Sequence, residues 1–457
     1  MKLTFWIFSS AAALVLPTFA RTRPHYGGVL NVEISGDPMQ SPGGLARRLI
    51  LDGLTTLGAD GAVRPALAVA WEKGDNAHRW QFELRPGVHF EDGSPLTSAA
   101  VVQSLNTSCN GNCPWSTVSA VGPDVVFTGD SPIPNLPALL AGDNFLISLT
   151  VAQNGQIPTT PIGTGAFQLE SNTNGIVTLT ANDSCWQGRP FLDSIQIHGG
   201  RTIRDQWLDL NVGRADVVQV PPQMLREARQ QQFNVVVSPP VALLAIEVSS
   251  SGALSNVSLR ASIAEAVDRG ALFNVIFQKQ GAVAASLLPQ SLTGYAFLFP
   301  TDRDLGKAQT LRGGVTPPPM QLSYEGGDAV QLAAQRLALN LREAGFNVQA
   351  VPVSSAPHAD LALRTLPLLT ADPSAAMETL LRAAGQSIPV VDQSAAGLYQ
   401  AEREFLDLHT LVPLLDLPRG YAISGRVRDF TLRTDGTPDL AAASLQDSTQ
   451  DSTGAAP

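Results

Sequence analysis

The sequence predicts an α/β protein of two or three domains, on three observations. Its 457 residues are 44% hydrophobic, enough to bury several cores. Beyond residue 240, segments of strand period alternate with segments of helix period, the order of an α/β lobe. Turn formers abound, with 39 glycines and 33 prolines, so loops are numerous.

Each element can be justified in chain order. MKLTFWIFSSAAALVLPTFA carries Lys2, an apolar stretch from Phe5 to Leu16, and small residues Thr18 and Ala20 before a cut. This reads as a secretory signal peptide, residues 1–20, cleaved after Ala20. No cysteine lies near the cut to serve as a lipoprotein anchor, so an exported, periplasmic protein is expected. GVLNVEI (28–34) is a strand, residues 35–44 a loop, and Leu45–Leu57 a helix. In WQFELRPGVHFEDGSPLTSAAVVQSL (80–105), Trp80, Phe82 and Leu84 alternate with polar residues, as in a half-buried strand. Turns at Pro86-Gly87 and Asp92-Gly93 follow, then a helix capped by Thr97. Residues 106–160 are loop-rich, with a strand at Asp124–Phe127 and a helix at Leu136–Ala141.

PIGTGAFQLE (161–170) opens a strand that pairs with Ile176–Ala181. Arg201–Val212 and Gln223–Gln231 read as helices around a buried strand, Ala215–Val220. Asn234–Val237 and Ala242–Val248 read as two strands separated by prolines. Helices Leu259–Val267 and Leu272–Gln278 precede the strand Gln321–Tyr324. Asp328–Ala344 is the longest helix, closed by Gly345. Strands Phe346–Val353 and Asp360–Arg364, helices Ala375–Ala383 and Gly397–His409, and strands Leu411–Leu417 and Tyr421–Ile423 complete the series. The polar, small-residue tail 434–457 is expected to be disordered.

Composition and motifs exclude several functions. A net charge of −10 argues against nucleic acid, which needs a clustered basic surface. No GxSxG elbow, GxGxxG, GxxxxGK[ST] or HExxH occurs, and the six histidines are dispersed. No enzyme activity and no cofactor are expected. Cys109 and Cys113 frame CNGNC, which in an oxidising compartment reads as a local disulfide, with free thiols the alternative. Neither a CxxC pair nor a nearby histidine supports a metal site there, and Cys185 reads as a buried small hydrophobe.

The run LDGLTTLGADGAVRPALAVAWEKGDNAHRWQFELRPGVHFEDGSPLTSAAVVQSL (51–105) resembles the N-terminal pattern of family 5 extracellular solute-binding proteins, the peptide/nickel-type receptors of ABC importers. PIGTGAFQLE, NDSCWQGRPFLDSIQI (182–197), GRADVV (213–218), VSLRASIAEAVDRGAL (257–272), TADPSA (370–375) and LVPLLD (411–416) resemble later family elements in the same order. The resemblance spans nearly all of residues 28–432.

It implies a two-lobed periplasmic-binding-protein-like clamp, of the type II, cluster C style, with a trimmed extra domain in lobe one. Lobe one is expected at 27–240, with the extra domain at about 46–157 and a chain return at 416–433. Lobe two is expected at 241–415, with hinge crossings near Val241–Glu247 and Leu414–Arg419. The implied function is capture of a small organic or peptide-like solute and delivery to an ABC permease complex in the membrane. A monomer is expected. The alternative is a non-transport binding, sensory or chaperone-like protein on the same scaffold. By position in the pattern, Ser35, Gly36, Asp37, Trp186, Arg364, Leu366, Leu369 and Thr370 are expected to bind ligand. Asp372 reads as a turn-former. Leu369 stands where peptide-binding members carry an acid that pairs with the ligand's amino terminus. A buried ammonium without its counter-charge is costly, so binding of free-amine peptides in the usual way is not expected.

Overall fold

The structure is a computed structural model. It describes residues 25–446 apart from 41–43, 59–60, 110–112, 150–159, 295–299, 369–371 and 387–393. The expected signal peptide lies outside the described residues.

One eleven-stranded sheet runs through the molecule, and two long strands are its spine. Asn234–Val248 and Leu411–Ile423 pair antiparallel over nearly their whole length. Their early and late halves belong to different neighbourhoods. The Asn234–Val237 half shares the end of Leu411–Ile423 with Val217–Val220, which leads on through Val29–Glu33, Ser194–His198, Ile176–Ala181 and Phe167–Thr173. The Ala242–Val248 half pairs instead with Leu361–Pro367, followed by Met320–Tyr324 and Val348–Pro352. Among the described residues, the sheet therefore has two wings joined only through these two strands.

The sequence suggests two strands in each of these stretches, broken at prolines. The structure corrects this to one strand each. The register of the pair shifts between Val237 and Pro240 and again between Pro240 and Ala242, opposite Leu417–Gly420. Proline cannot donate to a ladder, so a bulge is where it is tolerated. The Ser238 hydroxyl accepts the Arg419 N–H at 2.9 Å and bridges the gap.

In each wing the strands next to the spine run parallel. Val29–Glu33 is parallel to both Ser194–His198 and Val217–Val220. Met320–Tyr324 is parallel to both Val348–Pro352 and Leu361–Pro367. Helix Asp328–Glu343 follows the strand Met320–Tyr324 and buries Ala333, Ala334, Leu337 and Leu341 against lobe two's larger core, with Leu322, Ile246 and Leu363. Lobe one is centred on Leu30, Val32, Phe167, Ile195 and Val217.

A separate four-stranded sheet, in the order Ala68–Gly74, Arg79–Leu84, Asp124–Thr128, Thr117–Val121, forms a small domain on lobe one. Its core is Trp80, Phe82, Phe127, Trp115 and Leu105. Helix Ser98–Cys109 starts where the Thr97 hydroxyl accepts the Ala100 N–H at 3.2 Å. Gly163 and Gly165 of PIGTG sit against helix Leu45–Ile50, and the Gly165 N–H donates to the Ile50 carbonyl at 2.9 Å. A Cβ on either glycine would overlap the Leu49 or Ile50 backbone.

Two further expectations are corrected. Helix Leu45–Leu57 stops at Ile50, and Thr55–Leu57 is a strand paired with Val63–Pro65. The backbone is already extended at Leu51, and Gly53 then passes so close to the Leu140 carbonyl oxygen that a Cβ would lie 2.8 Å from it. The tail is ordered as far as Gln446: Thr431–Leu432 pairs with Pro438–Asp439, and Val427–Arg428 with Ser444–Leu445. Leu440 and Ala443, both fully buried, pack into the lobe-one core. These two apolar residues, set within a polar tail, are what the core recruits. Residues 447–457 lie outside the described residues.

Candidate ligand-binding cleft

A cavity of about 910 Å³ lies between the wings and against the spine. Lobe one contributes Ser35, Arg201–Arg204 and Pro221–Met224, the segments that follow its three parallel strands. Lobe two contributes Gly327–Val330, which follows the strand Met320–Tyr324, and Thr365 and Pro367 at the end of its neighbour. Leu417, Pro418 and Arg419 of the spine close the inner side. Ligands of open parallel sheets sit outside the carboxyl ends of the strands, and this cavity satisfies that rule from both lobes at once.

Glutamines set the lobe-one wall. The Ser35 N–H donates to Gln219 Oε1 at 2.8 Å, and its hydroxyl accepts from Gln206 Nε2 at 3.1 Å. Gln206 is fully buried on helix Ile203–Asn211, whose cap is the Thr202 hydroxyl. Arg201 is fixed from below by Asp209 and by Glu33, 3.4 Å away. Burial pushes the Glu33 carboxyl up, with Arg201 opposing. Burial also works to raise Asp209, but its bonds and the Arg201 charge outweigh that and hold it low. Arg201 is thus neutralised by its own lobe. Arg204 and Arg419 are not: among the described residues, neither guanidinium has an ion-pair partner. Among the described residues Asp328 is the one acid in the lining, at the first turn of helix Asp328–Glu343.

The residues singled out from sequence divide into three groups. Ser35 lines the cavity. Gly36 and Asp37 are exposed beside it without lining it, and Asp37 Oδ1 accepts the Met39 N–H. Trp186, Arg364 and Leu366 are elsewhere. Trp186 packs against the small domain, where its Nε1–H donates to Asp52 Oδ2 at 2.9 Å and the Arg85 guanidinium lies 4.6 Å over its ring. Leu366 is 1% exposed in a lobe-two core with Leu380 and Leu381. Arg364 pairs with Glu247 at 3.2 Å and lines a different cavity, of about 560 Å³. The physical reason is strand alternation: Arg364 and Leu366 point to one face, Thr365 and Pro367 to the other, and the cleft is on the latter. Leu369 and Thr370 lie outside the described residues. Asp372 caps helix Pro373–Ala383, accepting the Ala375 N–H at 2.8 Å. Its other oxygen accepts Asn135 Nδ2–H from the small domain at 2.7 Å, a hydrogen bond between the small domain and lobe two.

Sequence reasoning missed Arg201, Arg204, Gln223, Asp328 and Arg419. Their only signal was position after a strand, and that signal becomes specific only when the strands are known to be parallel neighbours. Cys113 is disulfide-bonded, and Cys185 is a buried free thiol. The Cys109 side chain lies outside the described residues; its pairing with Cys113 is a proposal that fits the three cysteines in the chain.

Two α/β lobes, joined by paired strands around a cleft at strand carboxyl ends, define a two-lobed solute-binding clamp. Residues 62–387 match the model of the bacterial extracellular solute-binding proteins, family 5 Middle, and the chain belongs to that family. It is 26% identical to Protein XP55 of Streptomyces lividans over 66% of this chain and 61% of that protein. It is 22% identical to the dipeptide-binding protein of Escherichia coli (strain K12) over 51% of each. The chain thus spans between half and two thirds of the length of these relatives. Among solved structures, NikA from Staphylococcus aureus in complex with Ni(L-His)2 superposes with a TM-score of 0.80 at 17% identity, covering 92% of this chain and 100% of that one. No helix among the described residues is long and apolar enough to cross a membrane.

Proposed function

We propose that this chain is the solute-binding subunit of an ABC importer. It captures a peptide-like or other organic solute between its lobes outside the cytoplasmic membrane, in the periplasm, and delivers it to the membrane permease. The observation that carries the reading is the cleft itself, built from the carboxyl ends of parallel strands in two lobes that, among the described residues, share only two crossing strands. Family membership and the names of its relatives support the same role.

The mechanism follows from the connection. Val237–Ala242 and Leu417–Gly420 are the hinge, because there the ladder slips register and, among the described residues, the lobes have no other strand in common. A solute touching both walls interacts more strongly with the closed form and shifts the population toward it. Closed clamp, not empty clamp, is what the permease reads. The role is binding without turnover, and energy for transport is supplied by the importer.

Small-angle scattering with and without a captured solute tests this. The radius of gyration is expected to fall on binding. An unchanged profile with a solute that demonstrably occupies the cleft overturns the clamp reading.

A further inference from the structure

The charge pattern of the cleft narrows the solute. Over the whole chain, acids outnumber bases, 40 to 30. Among the described residues of the cavity lining the balance inverts: Arg201, Arg204 and Arg419 face a single acid, Asp328. Two of these four need no ligand to explain them. Arg201 is offset by Glu33 and Asp209. Asp328 sits in the first turn of a sixteen-residue helix, where the helix dipole stabilises a carboxylate.

Arg204 and Arg419 remain. Arg204 is exposed at the start of helix Ile203–Asn211, on the lobe-one wall. Arg419 is half-buried on the crossing strand, its backbone pinned by Ser238. Neither guanidinium has an ion-pair partner among the described residues, and both line the same cavity. Beside them the lining is apolar at Ile203, Met224, Phe277 and Val330. A planar guanidinium matches a carboxylate or phosphate in geometry and charge, and closure around it removes screening water.

Resting on the solute-binding reading above, we infer that the cleft is selective for organic anions: solutes with an apolar body and a carboxylate or phosphate group engaged by Arg204 and Arg419. The anionic group meets one guanidinium on the moving lobe and one on the hinge strand. The apolar body then lies against Phe277 and Val330 of lobe two, so the whole solute, not the anionic group alone, touches both walls.

The test works on a mixture of solutes. A small-molecule fraction of yeast extract is passed over an anion-exchange resin at neutral pH. The retained and flow-through fractions are each incubated with the full chain, which is then analysed by native mass spectrometry. An adduct from the retained fraction only is expected, and its accurate mass separates carboxylic acids from phosphate esters. The double variant Arg204→Gln, Arg419→Gln is expected to weaken that adduct by roughly thirtyfold, with an unchanged unfolding midpoint because neither side chain holds the fold together. Affinity of the parent protein is expected to fall as salt rises. An adduct from the flow-through alone, or one indifferent to both substitutions, overturns the anion assignment and leaves the solute-binding reading standing. Absence of any adduct from either fraction counts against both.

Discussion

Asp416 is the residue whose chemistry is least compatible with its position. It lies on a spine strand, is 1% exposed, and its Oδ1 has no hydrogen-bond partner among the described residues. Burial, and then the neighbouring Glu402, push its carboxyl up to about 7. Glu402 is itself fully buried and accepts the backbone N–H groups of Leu287 and Leu288. An unfolded chain would ionise Asp416 near 3.8. Between those values the folded state binds the extra proton, so its contribution to stability is present below pH 4 and is lost as pH rises toward 7. Replacing Asp416 by Asn should flatten that window and raise stability above pH 7 by roughly 1–3 kcal/mol. Urea unfolding at pH 5 and pH 8 reads this directly; equal losses in parent and variant would refute it. Nothing in LVPLLDLPRG reveals this burial, because an acid within a strand reads first as a solvent-facing residue.

At the scale of elements, glycines and a side-chain bridge carry the argument. PIGTG is legible in sequence as a motif, yet its purpose is close approach: the Leu49 and Ile50 carbonyls occupy the space that a Cβ on Gly165 would need. Gly165→Ala should therefore cost about 3 kcal/mol, since the neighbour is backbone and cannot rotate away. Thermal unfolding of the variant checks it. The Asn135–Asp372 bond joins the small domain to the cap of a lobe-two helix. Asn135→Ala removes the bridge and leaves the cap. It is expected to leave the unfolding midpoint unchanged within error. It should weaken solute affinity about fivefold, the ~1 kcal/mol of one hydrogen bond. An affinity equal to the parent's would show that the bridge has no part in closure. Asp372 is readable as a turn-former from its Asp-Pro pair; its partner, 237 residues away in the chain, is not.

For the whole molecule, the prediction is the scattering change on solute binding, which belongs to no single residue. It depends on two wings of one sheet that, among the described residues, share only the strands Asn234–Val248 and Leu411–Ile423. The same arrangement explains why sequence position misplaces Trp186 and Leu366. Trp186 is drawn to Asp52 on the small-domain side, and Leu366 falls on the core-facing parity of its strand. A shift of one residue along that strand exchanges cleft and core, so order within a motif does not fix which side chain meets the ligand.

The sequence by itself determined the class. Apolar periodicity, turn residues and the ordered motifs from residue 51 to 416 specify an α/β clamp, because each encodes local backbone demands that neighbouring residues express. Only the tertiary structure decided the cleft and the hinge. Prolines at 239, 240 and 418 looked like strand ends, and became bulges in continuous strands once a paired neighbour supplied the remaining ladder bonds. Arg204 and Arg419 are 215 residues apart and share one cavity only because parallel strands and a returning spine bring their ends together.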